Sequence, residues 1–345
     1  MFKKILSLLL LLSTFSLAAS GCSGKKAKSS VYYEFFDTES YVFSYRKETK
    51  KKFEKNAAAV AEVLGEYHKL FDIYYEYSGI NNLMTVNKNA GVAPVEVDQK
   101  IIDFLIYAKD IYTLTEGRTN VAMGAVLKLW HECRKDAKAE DPIYRIPTEE
   151  ELTEASKHCS IDDVLIDTEA RTVYLRDPAM SLDVGAIGKG YATEMAAQLL
   201  ISKGITSYVL NIGGNIRAVG EKPSGDGWLT GVTNPNNSSG EPYITKLTIK
   251  DTSIVTSGNY ERFHTVNGIN YHHIIDPDTL MPANYFTSIS IITPDSALAD
   301  ALSTALFCMS YEDGLALVNS IGGVEVIWVD LEYNVKHTAG ISIVD

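Results

Sequence analysis

The sequence predicts an α+β protein, and three observations lead to that class. Helical periodicity dominates the first half of the 345 residues, while consecutive strand patterns crowd the second. That segregation argues against a doubly wound βαβ sheet. Hydrophobic residues make up 46% of the chain, enough for a substantial core, and no internal repeat or interdomain linker interrupts it.

The N-terminus has the parts of an export signal. In "MFKKILSLLLLLSTFSLAASGC", Lys3 and Lys4 precede an apolar run too short for a comfortable membrane span, and small residues follow. Ala19-Ser20-Gly21-Cys22 resembles a bacterial lipobox, so residues 1–22 read as a lipoprotein signal peptide with Cys22 lipidated. The competing reading is an ordinary cleaved signal with Cys22 incidental. Residues 23–30 then form a flexible tether and 31–345 the folded domain. The expected location is the outer face of the cell membrane, held by a lipid anchor. A net charge of −12 argues against nucleic acid as a partner. Cys133, Cys159 and Cys308 share no metal-ligand spacing, and a Cys133–Cys159 disulfide is left open.

The elements follow in order. "VYYEFFDTESYVFSYR" alternates and reads as one opening strand. "KKFEKNAAAVAEVLGEYHKLFDIYY" is a long helix with Val60, Val63, Leu64, Tyr67 and Phe71 on one face. "EYSGINNLMTVNKNAGVAPVEV" reads as a loop. Asp98 caps a second helix that Gly117 closes. "AVLKLW" begins a third, and Thr148 before acidic residues starts a fourth. "RTVYLRD" is a strand, and "YATEMAAQLLISKG" a helix ending at Gly204. "SYVLNIGGNIRAVG" and "WLTGVTNP" are strands joined by the turn "EKPSGDG". "YITKLTIKDTSIVTSG", "NGINYHHIID" and "TSISIITPDS" continue the sheet. Two helices, "ALADALSTALFCM" and "YEDGLALVNSIGG", and the strands "VEVIWVD" and "GISIVD" finish the chain.

Four stretches carry chemistry. Gly185-Ala186-Ile187-Gly188-Lys189-Gly190 is a glycine-rich turn feeding a helix N-terminus, whose free N–H groups and dipole favour anions. Its spacing does not match the phosphate loop G-x-x-x-x-G-K-[ST]. A packing turn is the alternative. Asn211-Ile212-Gly213-Gly214-Asn215 permits close backbone approach or positive φ, or is a β-bulge. His273 lies among the polar turns of "TSGNYERF" and "YHHIIDPDT", as a structural histidine or a catalytic one. Asp300 and Thr304, one helical turn apart, present oxygens that suit a hard cation such as Mg²⁺. A solvated face, or Thr304 bonding back to the Asp300 carbonyl, is the alternative.

In order along the chain, "FFDT", "INNLMTVN", "LTEGRTNVAMGAVLKLW", "SLDVGAIGKGYA", "YVLNIGGNIRAVG", "TSGNYERF", "HHIIDPDT" and "ADALSTAL" resemble the ApbE-type flavin transferase family, the FAD:protein FMN transferases. The resemblance runs from about Val31 to the last strand. It implies an ApbE-like, T-fold-related architecture with mixed or antiparallel sheets and flanking helices. It implies Mg²⁺-dependent transfer of FMN from FAD to a Thr or Ser of an exported client protein, with AMP released. By the same resemblance Ala186, Asp300 and Thr304 hold the metal. FAD runs past Phe36, Tyr77, Thr119, Asn120, Val121, Asp183, Lys189 and Ile274. His273 lies beside the reacting phosphate, and Asp300 can also serve as a base through bound water. The acceptor carries a Ser/Thr-Gly-Ala-Thr-like segment, absent here.

Three places depart from the family pattern. Phe36-Asp37-Thr38 stands where Met-Gly-Thr is usual, Gly117-Arg118-Thr119-Asn120 replaces a Gly-Ala-Phe-Asp-type turn, and Leu280 follows "DPDT" where Gly is usual. Two rival activities remain: an FAD pyrophosphatase giving FMN and AMP, and a lipoprotein that binds FAD without chemistry.

Overall fold

The computed structural model describes residues 27–341, 343 and 344. The signal over 1–22, Cys22 and the start of the tether lie outside the described residues. The first strand begins at Lys28, so the last three tether positions are strand.

The elements in chain order are β1 (Lys28–Phe35), β2 (Thr38–Ser44), α1 (Lys50–Phe71), α2 (Leu83–Lys88), β3 (Val95–Glu96), α3 (Gln99–Leu114), α4 (Gly124–Asp136), α5 (Glu149–Ser156), β4 (Val164–Asp167), β5 (Thr172–Leu175) and α6 (Gly188–Ser202). There follow β6 (Tyr208–Ile212), β7 (Asn215–Val219), β8 (Trp228–Thr233), β9 (Tyr243–Ile249), β10 (Ser253–Gly258), β11 (Phe263–Val266), β12 (Ile269–His272), β13 (Phe286–Thr293), α7 (Ser296–Phe307), α8 (Tyr311–Ile321), β14 (Glu325–Asp330) and β15 (Val335–His337). An eight-stranded sheet runs β1-β2-β6-β7-β10-β13-β14-β15, with antiparallel pairing throughout. The α+β class holds.

Alternation along the strands places the core. Tyr208, Leu210 and Ile212 of β6 face α1 and α6, while Val209 faces the β8–β9 hairpin on the other side. Helix α1 starts because the Thr49 side chain accepts the Lys52 N–H. It stops at Phe71, not at the tyrosines beyond, because the Asp72 carboxylate takes the Tyr74 and Tyr75 N–H groups at 2.7 and 3.0 Å.

Several sequence readings are corrected. The opening strand is a hairpin whose turn residues, Phe36 and Asp37, both have positive φ (52° and 53°). The expected loop at 76–97 holds α2, capped by Asn82 through Thr85 N, and the short β3. Gly213-Gly214 is not a bulge but the two-residue reversal between β6 and β7, with φ of 54° and 91° and Ile212 paired to Asn215, and Gly213 and Asn215 line the cavity described below. "EKPSGDG" does not join a hairpin: β7 lies between β6 and β10, and β8 pairs with β9. Strand β12 leaves the main sheet to pair with β11. Among its described residues "GISIVD" forms the bridge Leu247–Ile343 rather than a strand, and β15 takes the sheet edge. Cys133 and Cys159 are unpaired.

Candidate active site

A cavity of about 540 Å³ opens where the α6 start, α7, α4, the Phe36-Asp37 turn and the segments 256–262 and 273–275 meet. That size suits a small-molecule ligand.

Helices α6 and α7 form its inner wall. Asp300 is buried, and its Oδ2 accepts the Gly190 N–H at 2.7 Å while Oδ1 lies 4.0 Å from the Lys189 ammonium. Burial pushes the Asp300 carboxyl up, against the pull of Lys189 and the Gly190 N–H. The approach demands glycine: a Cβ on residue 190 would lie 2.3 Å from the Asp300 Cβ and 2.4 Å from the Ser296 carbonyl oxygen. Ala186 and Thr304 line the same cavity. Among the described residues neither the Ala186 carbonyl nor the Thr304 hydroxyl has a hydrogen-bond partner. The expected alternative, Thr304 bonding back to Asp300, is not realised, because Ser303 Oγ donates to the Asp300 carbonyl instead.

A carboxylate, a hydroxyl and a carbonyl form an all-oxygen set, which fits a hard cation that keeps waters or takes phosphate oxygens. No group of three or more His, Cys, Asp or Glu side chains able to hold a metal occurs among the described residues. Any metal here therefore depends on neutral oxygens and on its ligand.

The two adjacent histidines divide the work. His272 Nδ1 accepts the Ile274 N–H and Nε2 meets the Ala283 carbonyl, so it is structural. His273 reaches the cavity. Its Nδ1 lies 3.2 Å from the Arg262 carbonyl, which can only accept, so Nδ1 carries the proton and Nε2 a lone pair. The ring keeps an open side toward the cavity, but protein surrounds that cavity. Burial first, then the Arg262 and Arg134 charges, push its pKa down to about 3. It is neutral at pH 7.

Phe36, Tyr77, Thr119, Asn120, Asp183, Lys189, Ile274, Ala186, Asp300, Thr304 and His273 all line this one cavity. Val121 does not. Its side chain is buried in the main core, and its carbonyl accepts the Asp183 N–H at 2.9 Å. Thr119 donates to the Ala301 carbonyl (2.9 Å), and Asn120 bonds the Cys159 carbonyl and the Ala122 N–H. Their polar groups thus hold the turn. Phe36 gives its N–H to His68 Nδ1 and sets its ring edge-on to that imidazole, 5.6 Å away. Tyr77 is anchored by Asp72 at 2.7 Å.

Helix α4 contributes a stripe that sequence reading missed: Met123, Leu127, His131 and Arg134 all face the cavity. His131 lies 3.8 Å from Asp183 and 3.2 Å from the Tyr74 hydroxyl. Burial lowers its pKa against the pull of Asp183. The i, i+4, i+8, i+11 spacing was readable, but nothing in it distinguishes a cavity face from a core face.

An antiparallel sheet backed by helices, with a glycine-rich helix start, Asp300, Thr304 and a neutral histidine at one cleft, makes an α+β protein whose cavity presents groups chemically suited to a phosphate-bearing ligand. The chain belongs to the ApbE family, whose model matches residues 36–328. It is 36% identical over 274 residues to the FAD:protein FMN transferase of Treponema pallidum (strain Nichols), covering 75% of this chain and 73% of that protein. The FAD:protein FMN transferase of Klebsiella pneumoniae (strain 342) is 28% identical over 274 residues, covering 79% and 81%. The crystal structure of the ApbE protein from Thermotoga maritima superposes with a TM-score of 0.80 at 28% identity, covering 91% of this chain and 97% of that one. The apo flavinyl transferase ApbE of Pseudomonas stutzeri, at 21% identity and a TM-score of 0.74, shares the fold.

Proposed function

We propose that this protein transfers FMN from FAD to a Thr or Ser hydroxyl of an exported client protein and releases AMP. The observation that carries the reading is the group of oxygens around Asp300. Asp300, Ala186 and Thr304 line a single cavity with Lys189, and neither the Ala186 carbonyl nor the Thr304 hydroxyl has a partner among the described residues. The names of relatives at 36% and 28% identity support the same activity.

Ala186, Asp300 and Thr304 would hold Mg²⁺, which when bound offsets the charge of the FAD pyrophosphate. The cavity walls that include Phe36, Tyr77, Asp183 and Ile274 would enclose the dinucleotide. In the step, the client hydroxyl oxygen bonds to the FMN phosphorus. The bridging bond to the AMP phosphate breaks, and its electron pair leaves with AMP. The hydroxyl proton needs an acceptor; the unprotonated Nε2 of His273, a weak base at a pKa of about 3, would orient that hydroxyl and take its proton only as the bond to phosphorus forms and the proton becomes acidic. Lys189, which lines the same cavity, would steady the equatorial phosphate oxygens. The acceptor would present a Ser/Thr-Gly-Ala-Thr-like segment, and lipidated Cys22 would hold the enzyme on the outer membrane face, where such clients are exported.

The test incubates the protein with FAD, Mg²⁺ and a client bearing that segment, then weighs the client. An FMN mass increment with wild type, lost in Asp300→Ala, is expected. No adduct with wild type, or an undiminished one with the variant, sinks the assignment. AMP released without client marks a pyrophosphatase, and FAD bound with no AMP marks a passive carrier. Conversion of Cys22 to serine should move the protein from the membrane to the soluble fraction.

A further inference from the structure

One buried ion pair has no part in that chemistry. Glu194 on α6 and Arg217 on β7 are 5% and 3% exposed. Glu194 Oε2 accepts Arg217 Nε at 3.1 Å and also the backbone N–H of Ser296, the first residue of α7, at 2.9 Å. Its Oε1 accepts Gln198 Nε2 at 2.7 Å. Arg217 also meets Asp251 at 3.1 Å and the Ala218 carbonyl. A buried pair of this kind is poor evidence for stability, and its best-attested use is to fix register.

The register in question is that of the metal-facing helices. Gly190 and Glu194 are one turn apart on α6, and Ser296 and Asp300 are one turn apart on α7. The Glu194–Ser296 and Gly190–Asp300 bonds are therefore two rungs between antiparallel helices, roughly one helical pitch of about 5.4 Å apart. A single rung leaves α7 free to pivot. Two rungs fix both its rotation and its slide, and so the direction in which Asp300 and, one turn on, Thr304 point.

We propose that Glu194 is a positioning residue, which keys the first turn of α7 to α6 and thereby sets the oxygen cage of Ala186, Asp300 and Thr304. This rests on the function proposed above. The inference reaches beyond the site, since Glu194 does not line the cavity.

Three full-length variants test it: Glu194→Met, which has no acceptor oxygen, Arg217→Gln and Ser296→Pro. Ser296→Pro removes the rung's N–H together with a buried hydroxyl, and its ring Cδ takes the place of that hydrogen, so the Glu194 carboxylate must swing away. Proline is tolerated at a first helical position, and Asp295 before it has the extended backbone that a pre-proline residue adopts (φ −100°, ψ 116°). The probes are Mn²⁺ alone, titrated by electron paramagnetic resonance, and hydrogen exchange of the Gly190 amide without metal. The Mg²⁺ dependence of FMN transfer is measured beside them. Glu194→Met and Ser296→Pro are expected to weaken Mn²⁺ binding about tenfold and to speed Gly190 exchange, as loss of an outer-shell group does. Arg217→Gln keeps the rung, so its Mn²⁺ affinity should stay within about threefold of wild type even where its melting temperature falls as far. Equal losses of affinity in all three variants would make the pair merely structural, and unchanged affinity in Ser296→Pro would remove the rung's role. Should Glu194→Met fail to fold, Ser296→Pro against Arg217→Gln decides alone. A wild type that neither binds Mn²⁺ nor transfers FMN overturns the functional reading instead, which is a separate outcome.

Discussion

On the inner wall of the cavity, Asp300 and Gly190 share a 2.7 Å hydrogen bond between two buried helices. On the outer wall, Phe36 and Asp37 hold left-handed backbone in a hairpin turn, and the rim tyrosines Tyr74 and Tyr75 are 59% and 71% exposed. The inner wall is over-determined: close packing, Asp300 between a cation and an amide, and a glycine with no room for a methyl group. The outer wall is held by a strained turn, an imidazole and a few rings. The difference teaches where the chain can vary. Chemistry at the inner wall needs fixed oxygens, whereas the outer wall needs only to close over a ligand.

Substitutions should therefore cost more on the inner wall. The largest effect is expected for Asp300→Ala, which removes the one carboxylate of the oxygen set. FMN transfer should fall by about 10³-fold, read by mass spectrometry of the client, and chelation of divalent metal should match it. A variant still at a tenth of wild-type rate would show that the inner wall does not carry the reaction. Gly190→Ala comes next. Its methyl group must push α7 away, at about 1–3 kcal/mol of stability in denaturant unfolding, with transfer lost alongside. Unchanged stability would mean that the helices part easily.

His273 stands between the walls and gives a pH-dependent effect. Its pKa is 6.5 when unperturbed and about 3 in the fold. Between those values the unfolded chain binds more protons, so the contribution of His273 to stability is complete above about pH 6.5 and is lost as pH falls toward 3. Thermal melts should show a shallower acid slope for His273→Gln than for wild type. In the free enzyme, kcat/KM should show no limb near pH 6.5 from this residue. The smallest effect is expected at the outer turn. Asp37→Gly relieves a left-handed non-glycine position and should raise stability by about 0.5–1 kcal/mol with FMN transfer unchanged. A loss of transfer there would erase the contrast between the walls.

Two departures from the family pattern gain a structural meaning. Asp37 and Leu280 stand where glycine is usual, and both have positive φ (53° and 60°). Each turn thus holds a non-glycine residue in left-handed backbone. Leu280 is further pinned, since its N–H donates to Asp276 and its carbonyl accepts the Trp130 indole.

Much of this was legible in one dimension. Helix starts at Asp98 and Thr148 followed from side chains that cap their own backbone, a local matter. So did the segregation of helices and strands, because periodicity is set by neighbours along the chain. The oxygens of Asp300 and Thr304 could be paired because they are one helical turn apart. Non-local choices were not legible. Which glycine pair reverses the chain, that β8 leaves the main sheet, and that α4 turns His131 and Arg134 toward a cavity depend on partners far away in sequence. Val121 lies in a site motif, yet the fold buries its side chain. The sequence by itself determined which groups could do chemistry, since residue type and short-range spacing fix donors, charges and helix ends. Only the tertiary structure decided which of them meet, because the contact of Gly190 with Asp300, 110 positions away, exists only once two helices have packed without a side chain between them.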